Sequence, residues 1–140
     1  MIDFSLFKTP SFVVDRILLN KNLEILKDVK ERTGASILLA LKGFAMHSTF
    51  PLVSQYLDGT CASSPHEARL GREEFGGEVH SYAAAYSRKD FAEMVELSDH
   101  IVFNSLNQYR EFFTDIEKNS GKINFGLRIN PQHRETEVEI

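Results

Sequence analysis

Short apolar runs alternate with amphipathic segments along this chain, and they recur at a nearly constant interval. Strand-like runs begin at positions 36 (SILLAL), 59 (GTCAS), 78 (EVHSYA), 100 (HIVFN) and 122 (KINFGLRI), so successive starts lie 23, 19, 22 and 22 residues apart. That interval fits one strand, one helix and two short loops. An earlier run, Ser11-Phe12-Val13-Val14, stands apart as an opening strand. After it, Asp15 caps a predicted helix whose apolar stripe uses Leu19, Leu23, Leu26 and Val29, and Gly34 ends it. Ser64-Pro65-His66-Glu67 reads as a capping box with proline at the first helical position. Ser105-Leu106-Asn107-Gln108 is a second box, and Ser87-Arg88-Lys89-Asp90 resembles one. Gly76-Gly77 closes the helix that begins at Pro65. Strands alternating with helices of this length predict βαβ units and a parallel sheet, the α/β class.

Two architectures satisfy this pattern. A doubly wound open sheet of five strands fits into 140 residues, whereas eight βα units need roughly 180 or more. The tail favours an incomplete barrel. After Arg128-Ile129-Asn130-Pro131 the chain turns polar, and no helix follows the fifth strand to cover it. Parallel sheets are ordinarily covered on both faces, so the expectation is a chain cut at its C-terminus.

Composition narrows the function classes. The formal charge of −4 offers no electrostatic reason to expect nucleic acid or an anionic membrane as partner. Cys61 is the only cysteine, so no internal disulfide is possible and a reducing cytoplasm is the expected compartment. No apolar stretch approaches a membrane span, and the N-terminus lacks the pattern of a signal peptide.

Candidate chemistry starts at Lys42, which ends the buried-strand pattern Ser36 to Leu41 and precedes Gly43-Phe44-Ala45. A lysine stripped of part of its hydration loses its proton more readily, and only the neutral amine adds to a carbonyl. Lys42 is therefore a candidate covalent anchor for a carbonyl cofactor, the other reading being a solvent-facing strand end. There is no G-x-G-x-x-G, no P-loop, no H-E-x-x-H, no paired-cysteine metal spacing and no G-x-S-x-G elbow. His47, His66, His80, His100 and His133 are scattered singly and read as packing, helix-end or surface residues. What remains are the C-terminal ends of the strands, where α/β folds place their sites: Lys42, Thr60 to Ser63, Ser81 to Ala84, Asn104 and Arg128. A lysine and an arginine at one end suit an anionic, carbonyl-bearing ligand. Glu67 is equally explained as the capping partner of Ser64, Asn104 as a turn residue and Arg128 as a strand-end ion pair.

On these residues the sequence resembles the fold-type III pyridoxal-phosphate decarboxylases, a group that includes ornithine, diaminopimelate and biosynthetic arginine decarboxylases, with alanine racemase more distant. Their cofactor lysine lies in an A-[VL]-K pattern, here Ala40-Leu41-Lys42. The run Thr9-Pro10-Ser11-Phe12-Val13-Val14-Asp15, then Leu39 to Ala45, Leu57 to Ser64, Glu67 to Gly71 and Leu127 to Pro131, is most similar to the carboxynorspermidine decarboxylase branch. Gly43-Phe44, in place of the usual cysteine-asparagine or alanine-asparagine pair, favours that branch. The resemblance implies a pyridoxal 5'-phosphate cofactor held by Lys42, with Arg128 and Glu67 near it. Glu67 stands one residue further from the C-A-S run than in those relatives, and Thr60 replaces their aspartate.

The fold it implies is the N-terminal portion, about five βα units, of a (β/α)8 barrel of the alanine racemase type. Residues 1–14 are then one strand of a β-domain that is mostly absent, and residues 15–140 form the incomplete barrel. The implied activity is decarboxylation of carboxynorspermidine or carboxyspermidine to norspermidine or spermidine, by an enzyme that is a cytoplasmic homodimer at full length. Further cofactor contacts lie beyond Ile140 in this reading, so these 140 residues alone are expected to be inactive. Other readings left open are a non-catalytic pyridoxal-phosphate carrier barrel, a diaminopimelate or ornithine decarboxylase, and a complete five-stranded α/β binding module.

Overall fold

The computed structural model describes residues 3–133 and 135. Its elements follow the sequence pattern closely. Helix α1 (Arg16–Thr33) leads to strand β1 (Leu38–Ala40), and α2 (Phe50–Val53) to β2 (Gly59–Ala62). Next come α3 (Pro65–Leu70), β3 (Glu78–Tyr82), α4 (Arg88–Leu97) and β4 (His100–Phe103). Two short helices, α5 (Leu106–Glu111) and α6 (Phe113–Asn119), precede β5 (Asn124–Leu127). Asp15 accepts hydrogen bonds from the N–H groups of Ile17 and Leu18, and Gly34 closes α1 in the left-handed conformation at φ 69°. Only glycine adopts that cap without steric cost. The helix beginning at Pro65 differs from expectation in its second half, where a π turn, Gly71–Phe75, takes over from α3. At that turn Gly71 packs against β2, and a β-carbon there would run into Thr60 Oγ1.

The five strands are all parallel and lie in the order β1-β2-β3-β4-β5. This order decides between the two architectures. A doubly wound sheet reverses direction at a switch point, and no reversal occurs here. Right-handed crossovers between strands taken strictly in sequence put every helix on one face, which is the winding of a barrel wall.

Burial follows that asymmetry. Thr60, Val79, Ser81, Ile101 and Phe103 face the helices and are at most 1% exposed, while Cys61, His80, Tyr82, His100 and Val102 on the opposite face are half-buried. One core gathers Leu23, Leu41, Phe50, Val53, Leu57 and Phe75 beneath α1 and α2. A second joins Tyr86, Phe91, Met94, Ile101, Phe103, Phe112 and Ile116 beneath α4 to α6. Truncating Phe103 or Phe91 to alanine is expected to cost about 3–5 kcal/mol. At β5, Phe125 stacks on Phe103, but Leu127 is 38% exposed because no described element covers it.

The expected opening strand is not formed: residues 11–14 carry no strand, and Phe12 is 97% exposed. A strand exists only by pairing, and among the described residues nothing pairs with this segment.

The N-terminal ends of the strands are clamped twice in the same way. Asp58, just before β2, accepts from Lys30 Nζ of α1 at 2.6 Å and from the Ile37 N–H at 2.8 Å. Asp99, just before β4, accepts from Arg72 Nη2 at 2.7 Å and from the Val79 N–H at 2.8 Å. Each aspartate thereby ties its own strand to the preceding strand and to a helix-end cation. The Lys30 ammonium is the main reason the Asp58 carboxyl is held below its ordinary range, with the Ile37 N–H adding to it. A lowered folded-state value means that this stabilisation is present above the ordinary carboxylate range and is lost as pH falls through the lowered value. Asp58→Asn is expected to cost about 1 kcal/mol at pH 7, a low figure for a charged hydrogen bond because the pair is partly solvated. Urea midpoints should show the gap to the unsubstituted protein closing as the pH falls into the acid range.

Candidate active site

All five strands end at one edge of the sheet, so the residues that follow them converge there. At β1 the ladder continues for one bond beyond the strand, from the Leu41 N–H to the Cys61 carbonyl at 3.1 Å. The chain then turns, with the N–H groups of Gly43 and Phe44 both donating to the Ala40 carbonyl. Lys42 lies in that turn. Strand alternation assigns it to the face of Leu38 and Ala40, away from the helices. Its side chain is exposed, and among the described residues Nζ makes no hydrogen bond or ion pair. Of the two readings of Lys42 left open by the sequence, a partly desolvated amine and a solvent-facing strand end, the described residues show the exposed one; burial among them does not set this amine apart, its position does.

Arg128 follows β5 at the same edge, and its N–H donates to the Phe103 carbonyl at 2.9 Å. Its side chain is held by two neighbours. Nη1 donates to Tyr82 Oη at 2.9 Å and to Asn104 Oδ1 at 3.2 Å, and Tyr82 Oη donates to Asn104 Oδ1 at 2.7 Å. The guanidinium carbon also stands 5.8 Å from the centre of the Tyr82 ring. Three strand ends thus fix one cation, and no carboxylate takes part among the described residues. The strand-end ion pair considered from sequence is not what forms.

Lys42 and Arg128 share an edge and a face but stand on the two outer strands. Four strand spacings of about 4.8 Å separate β1 from β5, or about 19 Å along a flattened sheet. The two residues stand on either side of one space, and curvature of the sheet brings them nearer than the flattened distance. An amine without a partner and an oriented guanidinium are the right donor set for a ligand that carries both a carbonyl and an anionic group.

The residues between them divide by face. Ser63 belongs with Cys61 on the inner face, whereas Thr60 and Ala62 are buried beneath the helices and lie outside the candidate site. Among the described residues Thr60 Oγ1 has no hydrogen-bond partner. Burial pushes the Cys61 thiol up, which makes it a poor nucleophile.

Glu67 does what the capping reading anticipates, with a shift of one residue. The Glu67 N–H donates to Ser64 Oγ at 3.2 Å, and Glu67 Oε2 accepts from the Ser63 N–H at 2.7 Å. The second box repeats this geometry: the Gln108 N–H donates to Ser105 Oγ, and Gln108 Oε1 accepts from the Asn104 N–H. Both boxes therefore reach back into the strand end and fix the backbone of Ser63 and Asn104 at the candidate site.

Pattern reading missed two features. Tyr82 was visible only as one member of a strand end, because its link to Asn104 and Arg128 spans three strands. His80 and His100, taken singly in the sequence, are direct partners across β3 and β4 and stack at 3.9 Å between ring centres. Register between parallel strands leaves no local mark in a sequence, so neither link had a signal.

With this geometry in hand, comparison with known proteins is informative. No protein-family model matches the chain. It is 42% identical over 126 residues to a carboxynorspermidine/carboxyspermidine decarboxylase of Herminiimonas arsenicoxydans, covering 90% of this chain and 33% of that protein. The chain is homologous to these decarboxylases over about a third of their length. A Campylobacter jejuni protein of the same name is 41% identical over 88% of the chain and 31% of its own length. A carboxyaminopropylagmatine decarboxylase of Synechocystis is 39% identical over 94% of the chain and 34% of its length. The crystal structure of the Campylobacter jejuni carboxynorspermidine decarboxylase complexed with norspermidine superposes with a TM-score of 0.76 at 40% identity, over 81% of this chain and 31% of that one. The five-stranded α/β unit of this carboxynorspermidine decarboxylase relative corresponds to the N-terminal part of that enzyme.

Tyr86 underlies the candidate site and gives it a measurable signature. Its hydroxyl donates to the Val102 carbonyl and accepts from the Ala83 N–H, both at 3.0 Å, which joins the ends of β3 and β4. Burial pushes its phenol up to about 12. The raised value favours the folded state below the ordinary tyrosine range, and that contribution is lost between pH of about 10 and 12. Tyr86→Phe is expected to lower stability by about 1–2 kcal/mol at pH 7 and to flatten the alkaline limb of a stability–pH profile.

Proposed function

We propose that this chain carries the cofactor-lysine portion of a pyridoxal-phosphate-dependent carboxy-lyase acting on carboxylated polyamines. The observation that supports it most is the placement of Lys42, unpartnered among the described residues, in the turn after β1 on the face away from the helices. Arg128 at the same edge strengthens it, as do relatives whose names all describe decarboxylases of carboxylated polyamines. The donor set fits the cofactor: an amine for its aldehyde carbon and a fixed guanidinium for an anionic neighbour.

In this reading Lys42 is the catalytic residue. Its Nζ would hold the cofactor at the aldehyde carbon. Bound there, the pyridoxal ring supplies an electron sink for the pair left behind when carbon dioxide departs. Arg128, oriented by Tyr82 and Asn104, fixes negative charge at the β5 side of the space. Glu67 acts at the β2–α3 corner, where its carboxylate holds the Ser63 backbone that would stand near the cofactor. Carboxynorspermidine and carboxyspermidine are the proposed substrates, and norspermidine and spermidine the products. A barrel wall closed by further strands, a cytoplasmic location and a homodimer at full length belong to the same reading. So does the division at residue 14, since Phe12 and Val13 are exposed rather than packed into the barrel wall.

Incubation with pyridoxal phosphate, borohydride reduction and peptide mapping test it. The expected result is a pyridoxyl adduct on Lys42 that Lys42→Ala abolishes, together with release of carbon dioxide from carboxynorspermidine by the protein at native length. Arg128→Met should weaken cofactor binding by at least about tenfold while leaving the adduct on Lys42. An adduct on another lysine, or none, overturns the assignment.

A further inference from the structure

At the opposite end of the strands, on the same uncovered face, three donor atoms converge. Glu78 and His80 lie two residues apart on β3 and so share a face, and His100 is the direct partner of His80 on β4. His80 Nε2 stands 2.8 Å and His100 Nε2 3.9 Å from the same oxygen, Glu78 Oε2, and the three atoms lie within 4.8 Å of one another. We propose that Glu78, His80 and His100 form a binding site for a divalent transition-metal ion of the zinc class.

The geometry and the chemistry agree. Neighbouring ligand atoms around a tetrahedral ion with bonds of about 2.1 Å are about 3.4 Å apart, and the two measured separations lie on either side of that value. Two imidazole nitrogens and one carboxylate oxygen are borderline ligands that suit Zn2+ or Co2+ and are poorly matched to Mg2+ or Ca2+, which prefer oxygen alone. All three side chains stand on hydrogen-bonded strands, so small side-chain rotations close the set without backbone movement. With only three protein donors, water completes the shell. Asp99, directly before His100, is no fourth ligand, because Arg72 and the Val79 N–H already engage its carboxylate. Interior positions of a barrel wall are usually filled by branched apolar residues. Two stacked imidazoles beside one carboxylate depart from that pattern. Lys42 and Arg128 lie at the other end of the strands, so this site stands independently of the proposed enzymatic activity.

The test begins with the purified protein stripped of metal by chelation. Co2+ is expected to bind with stoichiometry near one and give the intense visible bands of a four-coordinate ion, which Zn2+ then displaces. His100→Gln and Glu78→Gln should each weaken Zn2+ binding by at least about tenfold, a loss already typical of outer-shell partners, whereas His133→Gln should not. In the unsubstituted protein, Zn2+ should protect His80 and His100 from diethylpyrocarbonate while His47 and His66 stay reactive. This arm does not depend on how the variants fold. Absence of Co2+ binding, Zn2+ affinity untouched by either substitution, or unchanged modification of His80 and His100 overturns the assignment.

Discussion

The placement of functional groups in this molecule depends on one topological constraint: parallel strands added strictly in sequence, each joined to the next by a right-handed crossover. Such a sheet receives all its helices on one face. The consequence is visible residue by residue. Thr60, Val79, Ser81, Ile101 and Phe103 disappear beneath helices, while Cys61, His80, Tyr82, His100 and Val102 line a face that no described helix covers. Polar and titratable side chains are concentrated on that second face. The same winding brings Lys42, Ser63, Asn104 and Arg128 to one edge of it although they are distant in sequence.

Two sets of hydrogen bonds, one across strands and one local, hold the constraint in place. At the N-terminal edge, Asp58 and Asp99 each bind a backbone N–H of the preceding strand region and a helix-end cation. At the C-terminal edge, the Ser64 and Ser105 boxes each return a side-chain oxygen to the strand that has just ended. The first set fixes where a strand begins, and the second fixes the turn that presents candidate site residues. Because both recur in alternate repeats, the wall is built from one corner used twice. Substitutions at these corners should therefore act on candidate site geometry without touching a ligand.

The legibility of each feature tracks the range of the interaction that makes it. Helix α1 could be read from Asp15 to Gly34 because both caps are local, and the strand starts at 59, 78 and 100 were recovered because apolar runs bounded by turns are local too. The edge that would hold Lys42 and Arg128 was legible from the strand–helix period. Register was not. The His80–His100 pair, the Tyr82–Asn104–Arg128 cluster and the aspartate clamps all depend on which residues stand opposite one another across strands, and side chains alternate whatever that register is. The exposure of Lys42 stayed open for a related reason: an apolar run predicts burial of its own residues and says nothing of the turn that follows. Ser11 to Val14 shows the same limit, since a β-rich run does not form a strand without an edge to join.

The contrast between Lys42 and Arg128 bears on how the candidate site works. Arg128 is fixed by Tyr82 and Asn104 and by its rigid fork of donors, so it recognises negative charge in one orientation. Lys42 is attached through a flexible four-carbon stem in a turn and is held by none of the described side chains. The role proposed for Lys42 calls for an amine free to move, whereas the role proposed for Arg128 gains from a guanidinium held in place. Parallel strand ends supply both conditions at one edge: β5 continues one ladder bond into Arg128 and extends its rigidity to the guanidinium, while β1 breaks into a turn before Lys42 and releases the amine. The difference in backbone between these two strand ends separates a held arginine from a free-standing lysine.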